Sequence, residues 1–208
     1  QRLINRGGVD LEDADLLAWS GLSKMNAVVN KVVENKKNKG AKLVFCQFKR
    51  EIAHLKDRLT AKGFNVAVIQ GSTSKKDRIY ALQSPISTEV IASIVDAKTT
   101  SVGAGASIIP CLINSFLSPD VLIAQIQTAC EGLNLQHFNE VYFTTPHWNP
   151  AVEDQSIARS HRIGQTSPVN VYKFITKFSS NAVSLDQYCL NVQQIKREAA
   201  SIIKPTNS

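Results

Sequence analysis

The sequence contains no G-x-x-x-x-G-K-[ST] run and no Asp followed directly by Glu, the acidic pair of the Walker B kind. It therefore lacks the usual backbone cradle for nucleotide phosphates and the usual acidic pair for a magnesium ion, so neither task falls to this chain alone. Its 4 cysteines, Cys46, Cys111, Cys130 and Cys189, stand far apart with no C-x-x-C pair. That spacing argues against a zinc site and a disulfide framework and fits a reducing compartment. No apolar run has the length of a membrane span and no signal-peptide pattern opens the chain, so no membrane partner is expected. There is no internal repeat. The 1 methionine is Met25, and residues 1–21 are expected to be the tail of a preceding segment.

What is present is 208 residues, enough for one domain with a buried core, and a formal charge of +7 with a pI near 9.3. The charge favours an anionic partner, although a modest excess of lysine also serves solubility. Trp19, Leu22, Met25, Val28, Val29, Val32 and Val33 keep helical spacing and predict a core-facing helix, with Ser20 or Ser23 as its cap. Leu43 to Phe48 is a compact apolar run that predicts a buried parallel strand. A helix over 50–62 ending at Gly63 and a strand over Val66 to Ile69 follow. Further strands are predicted over Val121 to Ala124, Val141 to Thr144 and Val169 to Ile175, and a last helix over 184–203. Strands alternating with helices in this way predict a three-layer α/β domain with a mostly parallel sheet. Its functional residues are expected at the carboxyl ends of the strands, after 48, 70, 125 and 145.

The stretch from Trp148 to Gln165 is the most informative. Asn149 suits a helix cap and Pro150 the first helical position. Glu153 and Asp154 lie near the positive end of the helix dipole, and Arg159, His161 and Arg162 near its negative end. Gly164 suits a left-handed stop. A helix over 150–163 is predicted, with Gln155, Arg159 and Arg162 at i, i+4 and i+7 on one face. Two guanidiniums and an amide there suit a polyphosphate, but a solvated basic helix end fits the spacing equally well.

The letters of this stretch decide between the two. W-N-P followed by Q-x-x-x-R-x-x-R-I-G-Q resembles motif VI of the Swi/Snf-type ATPases, the DNA translocases within helicase superfamily two. The resemblance implies that Arg159 and Arg162 are arginine fingers, with Gln155 beside the nucleotide. Phe45 to Phe48 resembles motif IV. Gly71-Ser72-Thr73-Ser74 with Arg78 resembles the family's G-S-T-S-x-x-x-R, which implies that Thr73 meets the DNA backbone; an ordinary turn with Ser74 as helix cap is the plain alternative. Thr128-Ala129-Cys130-Glu131-Gly132-Leu133-Asn134-Leu135 resembles motif V, with Ala129 and Cys130 in place of glycines. It implies nucleotide-side roles for Gly132 and Asn134 and DNA-side roles for Gln127 and Thr128; for each residue singly a strand-end turn or cap is nearly as good a reading. Trp148 is either a core anchor or, as the resemblance implies, a contact at the DNA groove. His147 is too isolated to argue for a metal site. Residues 84–111, rich in Ser, Thr, Ala, Gly and Val, read as an insertion with a short strand at Val90 to Val95. Gly103-Ala104-Gly105 within it lacks a third glycine, since Ile108 stands there, and is not taken as a phosphate loop.

The resemblance covers residues 22–178 and implies a RecA-like lobe of the P-loop NTPase type, the second of two in these motors. Residues 179–208 would then be a C-terminal helix bracing the other lobe. The expected function is the C-terminal motor lobe of an ATP-dependent double-stranded DNA translocase of the chromatin-remodelling type. ATP and Mg2+ would be bound largely by the N-terminal ATPase lobe, and this chain alone would be inactive. The expected partners are duplex DNA, that lobe, and a nucleosome or another protein–DNA complex, in the nucleus. The alternatives are a non-catalytic nucleic-acid or scaffold module, an RNA helicase lobe, which the W-N-P and R-I-G-Q letters disfavour, and a relative acting on transcription complexes in a bacterium or at a viral replication site.

Overall fold

A computed structural model describes residues 24–38, 40–82, 118–129, 133–165, 167–178 and 182–203. The segment 1–21, the insertion at 84–111, Trp19, Leu22, Ser20, Ser23, Cys111, Cys130 and Gly132 lie outside the described residues. The elements in chain order are α1 (Lys24–Glu34), a 3-10 turn (Asn35–Lys37), β1 (Ala41–Cys46), α2 (Lys49–Ala61), β2 (Val66–Ile69), α3 (Lys75–Ala81), β3 (Val121–Gln125), α4 (Ile126–Ala129), β4 (Phe138–Phe143), α5 (Pro150–Ser160), β5 (Asn170–Lys173) and α6 (Leu185–Ile203).

The strands form one sheet in the order β2-β3-β1-β4-β5, and every pair is parallel. Successive side chains alternate between its faces. Leu43, Phe45, Leu122, Ala124, Val141 and Phe143 point to one side, where Ala81 and Ile126 are buried with them and Val152 and Ile157 of α5 pack on. Val44, Cys46, Val121, Ile123 and Tyr142 point to the other, against Met25, Val28, Val29 and Val32 of α1 and Ile52, Leu55 and Leu59 of α2. The result is the expected three-layer α/β fold, each large side chain contributing on the order of 1.5–3 kcal/mol by leaving water.

Local signals set the boundaries. Gly63, at φ +76°, ends α2 while the Phe64 amide returns to the Leu59 carbonyl. The Ser74 hydroxyl caps α3 by accepting from the Asp77 amide at 3.2 Å. Ser184 caps α6 by accepting from the Gln187 amide at 3.1 Å, and the Gln187 side chain takes the Ser184 amide at 3.0 Å.

Several boundaries differ from expectation: β4 begins three residues earlier, at Phe138, and β5 is shorter, Asn170–Lys173. β1 stops at Cys46, because the Glu51 carboxylate accepts the Gln47 and Phe48 amides, each at 3.1 Å, and turns them into the start of α2. α5 ends at Ser160, not at residue 163, because His161 leaves helical geometry at φ −93° and ψ 79°.

Candidate nucleotide and nucleic-acid interface

Parallel strands bring their carboxyl ends to one edge, and four loops leave the sheet there, after β1, β2, β3 and β4. Three of them carry DNA-side candidates. Thr73 lies in the loop after β2, where its hydroxyl takes the Gln70 amide at 2.9 Å and faces the Val68 carbonyl at 3.4 Å. Gln127 and Thr128 sit in α4, the single helical turn that follows β3; Gln127 is exposed, whereas Thr128 is only 7% exposed. Thr128 therefore offers an outside partner far less of its side chain than Gln127 does. Trp148, in the loop after β4, is 39% exposed, with its ring set edge-on to Tyr188 at 5.8 Å. It is a surface side chain leaning on α6, not a core anchor.

The nucleotide-side candidates lie elsewhere, which corrects the expectation that all of them gather at the carboxyl ends. Asn149, following β4, caps α5 by accepting from the Ala151 amide at 3.1 Å. The helix then runs back beside the sheet. At about 1.5 Å per residue, 11 residues carry the chain roughly 16 Å, to the level where β4 begins. Gln155 is exposed midway, Arg159 is half-buried in the last turn, and Arg162 is exposed just beyond it. Gln155 and Arg159 keep their common face, but Arg162 does not share it, because the helix has already ended.

The segment after α5 is held by Gln136, in the segment that leads into β4. Arg162 to Gln165 form a tight turn in which the Gln165 amide donates to the Arg162 carbonyl at 3.0 Å, with Gly164 at φ +100°. Gly164 thus supplies the left-handed residue predicted for it, in a turn four residues past the helix end. Gln136 donates its side-chain amide to the Ile163 carbonyl, and Gln165 donates its own to the Gln136 carbonyl at 2.6 Å and to the Ser160 carbonyl at 3.4 Å. A Cβ on Gly164 would stand 2.8 Å from Gln136 Nε2. Asn134 is exposed in the same loop and accepts from the Gln136 amide at 3.4 Å. Next to it the His137 imidazole is pushed down to about 4 by burial, and its Nε2 is buried without a hydrogen-bond partner.

Glu153 lies in the first turn of α5, where an acid suits the helix dipole, yet its side chain is 0% exposed. It accepts the His147 amide and the Gln193 side-chain amide, both at 2.7 Å, and pairs with Lys173. Sequence reasoning missed Gln136, Glu153, Lys173 and Gln193 as parts of the site. The one available signal was that Glu153 falls inside the run from Trp148 to Gln165. Asp154, its neighbour, pairs with Arg197 at 2.8 Å on the surface, a contact that raises the arginine's pKa and adds little to stability.

A parallel sheet between two layers of helices, whose fourth strand leads through W-N-P into a capped helix followed by R-I-G-Q, has the architecture of a RecA-like lobe. Residues 23–164 match the helicase conserved C-terminal domain family, and the chain belongs to that family. The helicase-like transcription factor of Homo sapiens is 31% identical over 194 residues, which are 92% of this chain and 16% of that protein. A SWI/SNF-related matrix-associated actin-dependent regulator of chromatin from Arabidopsis thaliana is 29% identical over 194 residues, 92% of this chain and 18% of the relative. The crystal structure of the C-terminal part of the Fun30 ATPase domain matches the fold with a TM-score of 0.54 at 18% identity, covering 87% of this chain and 55% of that one. The chain thus spans only 16 to 18% of the length of these curated relatives.

Proposed function

We propose that this chain is the C-terminal motor lobe of an ATP-dependent translocase on double-stranded DNA, of the Swi/Snf chromatin-remodelling type. The observation that carries this reading is the placement of α5. Its capped start follows the Trp148 loop, and its far end holds Arg159 and leads into Arg162. One rigid helix therefore links groups suited to a duplex with groups suited to a polyphosphate.

In this reading ATP lies on the N-terminal ATPase lobe, which also holds Mg2+. Among the described residues no three His, Cys, Asp or Glu side chains gather as a metal site. Arg159 and Arg162 reach across the cleft to the γ-phosphoryl oxygens and stabilise the charge spread over them as the phosphoryl group transfers. Thr73, Gln127, Thr128 and Trp148 contact the duplex, mostly along its backbone, so binding is independent of sequence and steeply weakened by salt. Gly132, Asn134 and Gln155 complete the nucleotide side. Closing and reopening of the cleft shifts the two lobes along the DNA.

The domain division follows the same reading: 1–21 as the tail of a preceding segment, 22–178 as the lobe, and 179–208 as a helix bracing the first lobe. Leu185, Tyr188, Ile195 and Ile202 are exposed at i, i+3, i+10 and i+17 along α6, an apolar stripe that supports such bracing. The substrate is a nucleosome or another protein–DNA complex, and the location is the nucleus, in keeping with a relative named as a regulator of chromatin. The test is phosphate release and triplex displacement by the full-length protein with duplex DNA, beside the same assays on this chain alone. Duplex-stimulated turnover and displacement by the full-length protein, with none from the isolated chain, is expected. Robust turnover by the isolated chain, or indifference of the full-length protein to DNA, overturns the reading.

A further inference from the structure

Three side chains on one face of α6 point at three successive backbone carbonyls of the loop after β4. Cys189 Sγ lies 3.5 Å from the Pro146 carbonyl, Gln193 Nε2 donates to the His147 carbonyl, and Lys196 Nζ donates to the Trp148 carbonyl at 3.0 Å. Their spacing is i, i+4 and i+7, the repeat of a single helix face. The loop is held from below as well: Glu153 takes the His147 amide, so both backbone groups of His147 are bound. Gln193 joins the two systems, because its amide also donates to the buried Glu153 carboxylate at 2.7 Å, and it is itself only 4% exposed. Tyr188, on the same helix, sets its ring against Trp148. All of these α6 residues lie beyond residue 164, where the family match ends.

We infer that α6 is the rack on which the Trp148 loop is set, and that Gln193 and Lys196 are positioning residues for the engagement of duplex DNA. Neither touches the reacting atoms. Gln193 fixes the backbone at His147 against Glu153 and hence against α5, and Lys196 fixes the next carbonyl, so the direction of the Trp148 indole is set by the placement of α6. Two apolar residues at these positions would leave carbonyls of the loop without donors and free the indole to turn away. The inference rests on the proposed contact between Trp148 and the duplex.

The experiment measures duplex-stimulated ATP turnover of the full-length protein as a function of duplex concentration. The variants are Gln193→Met, which keeps the length of the side chain and removes its donors, Lys196→Met, Trp148→Ala, and each of the first two combined with Trp148→Ala. For Gln193→Met the half-saturating duplex concentration is expected to rise about tenfold, the weight of a buried hydrogen bond to a charged group. Lys196→Met should raise it less, and neither should add to the effect of Trp148→Ala, because all three act through one loop. A general loss of stability would instead multiply with Trp148→Ala. Unchanged half-saturation in both single variants, or effects that multiply, overturns the inference. If Gln193→Met fails to fold, Lys196→Met decides, since its ammonium is exposed and nothing buried is lost. A wild-type protein with no duplex response overturns the translocase reading together with the role given to Trp148. A responsive wild type with indifferent variants overturns the positioning role alone.

Discussion

Gln165 donates its side-chain amide to the backbone carbonyl of Gln136 at 2.6 Å, and Gln136 returns its own amide to the carbonyl of Ile163. The two glutamines clasp the turn that follows α5 to the loop that enters β4. Gly164 makes the clasp possible, because its φ of +100° suits glycine and any Cβ there would stand 2.8 Å from Gln136 Nε2. Gly164→Ala is therefore expected to cost about 1–2 kcal/mol in backbone strain and about 1 kcal/mol more through the displaced hydrogen bond. Chemical denaturation of Gly164→Ala, alone and with Gln136→Ala, checks this. The alanine should cost less in the Gln136→Ala background, and equal costs would show that the side chains do not meet.

Arg159→Ala and Arg162→Ala in the full-length protein are expected to lower duplex-stimulated turnover on the order of a thousandfold while leaving ATP binding nearly intact. Lysine should rescue neither, since a point charge does not reproduce the planar fork. The two should differ in stability. Arg162 is exposed beyond the helix end, so its alanine variant should melt like the parent; Arg159 is half-buried, and its variant should melt slightly lower. Turnover measured beside thermal melting for each variant decides. Two active variants would sink the arginine-finger assignment.

How far the sequence reveals this molecule depends on whether a boundary is set locally. Val66–Ile69 was legible because Gly63 and the turn at Gly71 bracket a short apolar run. The caps at Ser74 and Asn149 were legible for the same reason. The end of α5 was not, because helical spacing continues through Arg162 and Ile163. What stops the helix is tertiary: the Gln165 and Gln136 side chains take the carbonyls of Ser160 and Ile163. The burial of Glu153 was hidden likewise, since its partners Lys173 and Gln193 lie 20 and 40 residues away. For the site, the letters from Trp148 to Gln165 suggested which residues to look at, but not that Trp148 and Arg159 stand at opposite ends of one helix.

On the α1 side of the sheet, Lys42 and Glu140 are both nearly inaccessible, with Nζ 3.6 Å from Oε2. Asn38 and the Tyr142 hydroxyl each donate to the same carboxylate at 2.6 Å, and burial together with that bond pushes the Tyr142 phenol well above its usual value. Removing one ion leaves the other buried and uncompensated. Lys42→Met is expected to cost about 3–5 kcal/mol by urea denaturation. Adding Glu140→Gln should recover part of that loss, because an amide carries no charge and still accepts from Tyr142. A double variant less stable than Lys42→Met would show that the ion pair is not the main term.

His137 gives the lobe a distinct acid response. Burial holds its imidazole near 4, against an ordinary value of 6.5, so between those limits the folded chain carries fewer protons there than the unfolded chain. Stability from this group is complete above about pH 6.5, falls as the pH drops through the window, and is gone near pH 4. The cause is local: Nε2 is buried with no partner, and the ring lies 4.0 Å from that of Phe138, so a proton there would be unsolvated. His137→Leu places an apolar side chain in the same surroundings and has no proton to gain. Between about pH 7 and pH 5 the melting temperature of the parent is expected to fall more steeply than that of His137→Leu, the difference widening toward the acid end. Carboxylates protonating elsewhere contribute equally to both proteins and cancel in the comparison. Melting curves for the pair at several pH values across this range are the measurement. Parallel curves would mean that the His137 ring is hydrated in solution.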